Sequence, residues 1–159
     1  MEILVRELRT TDAPVCAEIL AALPDWFGLP ETNRESIEGL SRLPAAVAER
    51  EGRVIGFVSI ERYETWAAEI PVMAVDPDHH RCGAGRALVA WVETWCVEAG
   101  VRWLHVKTRG PSTPDPGYEK TRRFYLAMGF DPLFESLTLW GPEDAALILV
   151  KAVGVHGVQ

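Results

Sequence analysis

The chain has 159 residues, 48% of them hydrophobic and 25% charged, a composition that excludes a disordered or fibrous protein and predicts a single domain over residues 1–159. Its formal charge of −7 argues against a nucleic-acid partner, which needs a basic footprint, and no apolar run is long enough to cross a bilayer. The opening residues lack the basic and apolar segments of a secretory leader and the three cysteines form no CxxC pair, so the expectation is a reduced, cytoplasmic protein with no membrane partner, disulfide frame or zinc site.

Ile3, Leu4 and Val5 begin the chain as a predicted strand. Thr11 then caps a helix with Pro14 in its first turn, ending near Leu23. A loop over residues 24–30 leads to a more polar helix over 31–43. Two short apolar runs, 45–50 and 54–60, flank Glu51-Gly52, a hairpin signal. A third run, 67–75, follows Arg62-Tyr63-Glu64 and completes an antiparallel meander. Leu88, Trp91, Val92, Trp95 and Ala99 then recur at i, i+3, i+4, i+7, which predicts a one-sided helix over 85–99 with its tryptophans in the core. A strand over 103–107, a proline-rich loop, a helix over 119–128 stopped by Gly129, and strands over 133–139 and 145–150 follow. The result is a mixed α/β domain with a β–α–β unit at its centre. Its late strands, if exposed, would permit a homodimer.

The segment with most chemistry is Asp76-Pro77-Asp78-His79-His80-Arg81-Cys82-Gly83-Ala84-Gly85-Arg86. A glycine-containing turn feeding a helix N-terminus offers unpaired N–H groups and the positive end of the helix dipole. His79, His80, Arg81 and Arg86 reverse the local sign of an acidic protein, which favours an anion. A P-loop is excluded because Arg86 and Ala87 follow Gly85, and a dinucleotide fingerprint because Leu88 stands at its third glycine. The aspartates and adjacent histidines lack a third ligand at useful spacing, so no metal is expected.

Ala68-Glu69-Ile70-Pro71-Val72-Met73-Ala74-Val75, followed by His80-Arg81-Cys82-Gly83-Ala84-Gly85-Arg86-Ala87-Leu88, resembles motif A of the GNAT N-acetyltransferase superfamily. Phe124-Tyr125-Leu126-Ala127-Met128-Gly129-Phe130 resembles the F-Y-x-x-x-G-F of its motif B, in the right order and about forty residues later. The resemblance implies an α/β (α+β) fold: a mixed, largely antiparallel sheet with flanking helices and splayed central strands, which leave room for Pro71. It implies acetyl-CoA as co-substrate and no metal. Met73, Ala74 and Val75 fall where the family offers strand backbone to the pantetheine arm. His80, Arg81, Cys82, Gly83, Ala84, Gly85 and Arg86 fall on the pyrophosphate loop. His80 departs from the usual Gln/Arg, Arg81 stands where glycine is common, and Tyr118 stands where many members carry asparagine.

The same resemblance gives Glu69 the place of a general base, in an Ala-Glu-Ile segment like that of the histone-acetylating branch. Four residues before Met73 in a continuous strand, it would share a face with that residue. Tyr125 matches the tyrosine that protonates the leaving thiolate, and a strand amide near Met73 or Ala74 would steady the developing oxyanion. The expected reaction carries an acetyl group to a primary amine of a small molecule or peptide. A non-catalytic acetyl-CoA sensor, or an enzyme using another acyl-CoA, is the alternative. Acceptor specificity would lie in residues 25–43 and 110–117, with Trp26, Phe27 and Tyr118 as candidate walls, while His105 and Lys107 alternate on their strand.

Overall fold

The structure, a computed structural model, describes residues 2–154. The contacts of the described residues divide into two compact units, one formed by residues up to 61 and 70–95, the other by 62–69 and residues from 96 onward.

The first unit is built on an antiparallel four-stranded sheet ordered β1-β2-β3-β6. It comprises β1 (Leu4–Glu7), β2 (Ala45–Arg50), β3 (Arg53–Ser59) and β6 (Met73–Val75). Helix α1 (Ala13–Ala21) turns Cys16, Ile19 and Leu20, with Leu23 just beyond it, into a core shared with Val47 and Phe57. That spacing is the apolar stripe of a helix packed on one face. Helix α2 (Pro30–Gly39) is shorter than its sequence pattern, because residues 40–43 leave the helix in turns. Thr11 is not the cap of α1. A 3-10 turn over Thr10–Asp12 precedes the helix, and the buried Asp12 carboxylate accepts from the Arg9 amide at 2.7 Å and from both Arg6 terminal nitrogens. Trp26 and Phe27 pack against this core rather than standing free.

The turn between β2 and β3 places Glu51 at φ 53° and Gly52 at φ 76°. Two successive left-handed residues are the requirement of the hairpin turn whose twist matches the flanking strands. A Cβ at Gly52 would meet no atom within 4 Å, so only the backbone resists substitution. Gly52→Ala is expected to cost about 1 kcal/mol, read as a fall of roughly 2–4 °C in thermal midpoint.

The second unit holds a mixed five-stranded sheet ordered β4-β5-β7-β9-β8. Its strands are β4 (Glu61–Glu64), β5 (Ala67–Glu69), β7 (Trp103–Arg109), β9 (Ala146–Ala152) and β8 (Asp131–Ser136). β5 and β7 run parallel, whereas β9 is antiparallel to both β7 and β8. β7 alternates cleanly: Leu104, Val106 and Thr108 are buried, while His105, Lys107 and Arg109 are partly exposed. Helix α3 (Ala84–Ala99) connects the units along the chain, and α4 (Pro116–Ala127) belongs to the second. In α3 the stripe residues Leu88 and Val92 are fully buried, but Trp91 and Trp95 are only partly so.

The predicted strand over 67–75 is two strands. The chain leaves the five-stranded sheet after Glu69, passes through Ile70-Pro71-Val72, and enters the four-stranded sheet at Met73. Proline has no N–H for a ladder, and it stands at the break. Glu69 and Met73 therefore do not share one strand face.

Candidate active site

In the first unit β6 is an edge strand. Ser59 N–H donates to Val72 O at 3.1 Å and Asp76 N–H to Ile55 O at 2.7 Å, with Ala74 opposite Phe57 between them. The alternation of an antiparallel ladder then turns the Ala74 amide and carbonyl toward β3, and those of Met73 and Val75 outward. Of the three residues expected to meet a ligand by backbone, Met73 and Val75 present groups with no strand partner in this sheet.

The loop after β6 is closed by its own side chains. Asp76 accepts from the Asp78 amide at 2.9 Å, His80 Nε2–H donates to Val75 O at 2.8 Å, and the Cys82 thiol donates to His79 O at 2.8 Å. One nitrogen of His80 is thus spent on tying the loop back to β6. Arg81 and Arg86 are exposed, so the basic character reaches the surface. Arg81 has φ 62° and Gly83 φ 93°. A side chain held in this left-handed region at Arg81 costs roughly 1–2 kcal/mol relative to glycine. A Cβ at Gly83 would meet nothing within 4 Å, so the turn is an open cradle beside the first amides of α3, which have no helix partners. Among the described residues, no three His, Cys, Asp or Glu side chains are grouped as metal ligands.

In the second unit Glu69 ends β5 with only 6% of its surface exposed. Parallel pairing puts it opposite His105, and the same face of β7 brings Lys107. The Tyr63 hydroxyl, from β4, donates to Glu69 Oε1. Lys107 Nζ lies 3.3 Å from Glu69 Oε2 and 3.4 Å from the Tyr63 hydroxyl. His105 Nε2 stands 3.8 Å from Glu69 Oε1, and its ring meets that of Tyr63 edge-on, centres 5.3 Å apart. Burial, with Glu69 adding to it, raises the Tyr63 phenol above its ordinary pKa, so it keeps the proton that it donates. Burial, opposed by Glu69 but reinforced by Lys107, holds the His105 imidazole below its ordinary value, so the ring is neutral at pH 7. For Lys107, burial pulls downward, but Glu69 and Tyr63 outweigh it and the ammonium is held more firmly than usual. Tyr63 escaped the sequence reading. The signal was a turn at Thr65 and Trp66, which folds β4 back beside β5.

Tyr125 lies on the inner side of α4, its ring edge-on to Phe124 and Phe130 at 5.2 and 5.4 Å. Burial alone pushes its phenol well up, so the hydroxyl stays protonated at neutral pH. Helix α4 starts at Pro116, three residues earlier than the apolar pattern suggests. Asp115 caps it, accepting from the Gly117 amide at 3.0 Å, and an Asp-Pro pair at the cap and first position was a readable signal. The preceding loop is pinned. Arg109 bridges Asp115 and Asp144 at 3.2 and 2.6 Å, and Ser112 Oγ donates to Glu135 at 2.8 Å.

Comparison with known proteins adds three structures and one family. The model of the acetyltransferase (GNAT) family matches residues 7–130. A GNAT-family protein from Desulfovibrio desulfuricans superposes with a TM-score of 0.83 at 21% identity, covering 95% of this chain and 99% of that one. The ribosomal-protein-S18-alanine N-acetyltransferase of Escherichia coli gives 0.77 at 21% identity over 99% and 98% of the two chains. The yncA protein of Salmonella typhimurium, solved with its cofactor acetyl-CoA, gives 0.76 at 14% identity over 98% and 96%. At these identities the structures establish a shared fold.

Proposed function

This chain belongs to the acetyltransferase (GNAT) family, and on that premise we propose that it transfers an acetyl group from acetyl-CoA to a primary amine of a small molecule or peptide, with Glu69 as general base. The observation that carries this reading is the Glu69 carboxylate, 6% exposed yet surrounded by a phenol, an imidazole and an ammonium. A carboxylate so placed is positioned to exchange protons rather than to solvate a surface.

The residues of the first unit fit the co-substrate. The open turn at Gly83, the amides that begin α3 and the guanidinium groups of Arg81 and Arg86 suit a diphosphate. The outward groups of Met73 and the outward Val75 N–H suit the amide-bearing pantetheine arm, which would lie against β6 as an added strand does, while the Val75 carbonyl already accepts from His80. When bound, acetyl-CoA supplies an activated thioester carbonyl. The Met73 N–H, turned out of the ladder, is the donor we assign to the oxygen of that carbonyl.

The amine must lose a proton before it can attack. A lysine-like amine has a pKa of ~10.4, so holding it neutral at pH 7 costs about 4.6 kcal/mol. Glu69 takes that proton, directly or through water, an effect of typically ~10²- to 10⁴-fold. Tyr125 plays a smaller part. A phenol of ordinary pKa ~10 already gives its proton uphill to a thiolate of ~8.5, by about 2 kcal/mol, and burial makes the step steeper. We assign Tyr125 as the group that gives the leaving thiolate its proton, and the contribution is small because a thiolate of pKa ~8.5 departs readily unaided. Tyr125→Phe is expected to lower kcat less than tenfold, with KM for acetyl-CoA near that of the parent.

The test is a panel of amines, including alanine-terminated peptides, assayed by thiol release from acetyl-CoA. Release that depends on an amine supports the reading. Binding of acetyl-CoA with no release on any amine would favour a sensor, and faster release from propionyl- or succinyl-CoA would favour another acyl donor.

A further inference from the structure

Lys107 Nζ is held by three groups at once. Glu69 Oε2 lies 3.3 Å away, the Tyr63 hydroxyl 3.4 Å, and the centre of the Tyr63 ring 5.7 Å. A carboxylate, a phenolic oxygen and an aromatic face are what a site for an alkylammonium ion is made of. The lysine side chain retains 26% of its exposure, so the ammonium is a reachable group rather than a sealed core ion. The chain has only two other lysines, Lys120 and Lys151. Lys120 is exposed on α4, and Lys151 donates to Met128 O at 2.6 Å. Lys107 alone among them touches the carboxylate assigned as base.

We infer that the Lys107 ammonium occupies the acceptor's place in the ligand-free chain and that, given acetyl-CoA and no other amine, the protein acetylates itself at Lys107 Nζ. The inference rests on the assignment of Glu69 as base. In the step, one ammonium proton passes to Glu69 and the freed amine forms a C–N bond to the acetyl carbonyl carbon. The C–S bond breaks, the second nitrogen proton leaves, and the thiolate takes up one proton. Ammonium and thioester thus become amide, thiol and one proton released to water. The amide product carries no charge and no nucleophile, so each chain is modified once.

The groups facing this ammonium are Tyr63 from β4 and Glu69 from β5, with His105 two residues before it on β7. Glu69 and Tyr63 together hold the proton on Lys107 against the opposing effect of burial. Self-transfer is therefore slow, because the proton must first leave a firmly held ammonium for Glu69.

The experiment incubates the full chain with acetyl-CoA in the absence of any amine and follows intact mass and peptide maps. The expected result is one acetyl group per chain, at Lys107, absent in Lys107→Arg and in Glu69→Gln, each variant checked by its thermal midpoint. Acetic anhydride, which needs no site, should instead label the N-terminal amine and the exposed Lys120 ahead of Lys107. A chain that transfers acetyl to an added amine but leaves Lys107 unmodified overturns this inference alone. So does labelling that falls first on Lys120, Lys151 or the N-terminal amine. A chain that neither binds acetyl-CoA in a calorimeter nor releases thiol overturns both this inference and the reading beneath it.

Discussion

Glu69→Gln is expected to lower kcat by about 10²-fold or more while leaving KM for acetyl-CoA close to that of the parent. The amide has the carboxylate's size, so packing at the end of β5 survives, but it takes no proton at neutral pH. Lys107 loses its counter-ion, and at 26% exposure it can turn to water instead of remaining an unpaired buried charge. The pH dependence separates loss of a base from loss of structure. Without the base, the rate follows the fraction of acceptor that is already neutral, so log kcat/KM should climb by about one per pH unit from 7 to 9 for an amine of pKa ~10.4. Steady-state rates across that range check both parts. A variant as fast as the parent at pH 7 would remove the assignment.

Gly83→Asp is expected to raise the Kd for acetyl-CoA by roughly 10- to 100-fold. No protein atom lies within 4 Å of a Cβ at this position, so the protein itself does not clash with the new side chain. What opposes binding is charge. At an effective dielectric near 20, like charges 4 Å apart repel by about 4 kcal/mol, less after screening by salt. Gly83→Asn is the control. It shares the shape and the burden of φ 93°, which both residues carry, but not the charge. Calorimetric titration should find the asparagine variant within a few-fold of the parent and the aspartate variant far weaker. Equal affinities for all three would show that the turn does not meet a diphosphate.

Gly83 stood out in the sequence through a local signal, and Glu69 through its match to the family's Ala-Glu-Ile segment. A glycine turn before a helix, a hairpin at Glu51-Gly52 and the helix α3 are each written within a few positions, and the structure reproduces them, although two stripe residues, Trp91 and Trp95, are only partly buried. The division of residues 67–75 was not legible. Its apolar pattern is continuous, and only the choice of partners, β7 for one half and β3 for the other, breaks it at Pro71. The surroundings of Glu69 were hidden for the same reason. Lys107 is 38 residues away, and no periodicity reports which strand a short β5 will choose. Tyr63 and the Asp115 cap were nearer and could have been read.

The measurement that bears most directly on the whole account is acetyl transfer itself, followed in one reaction by thiol release and by the mass of the amine. The account predicts one thiol for each acetylated amine, and no release beyond a single equivalent per chain when amine is omitted. Continuous release without acetylated amine, or none across the panel from a chain that binds acetyl-CoA, would contradict it.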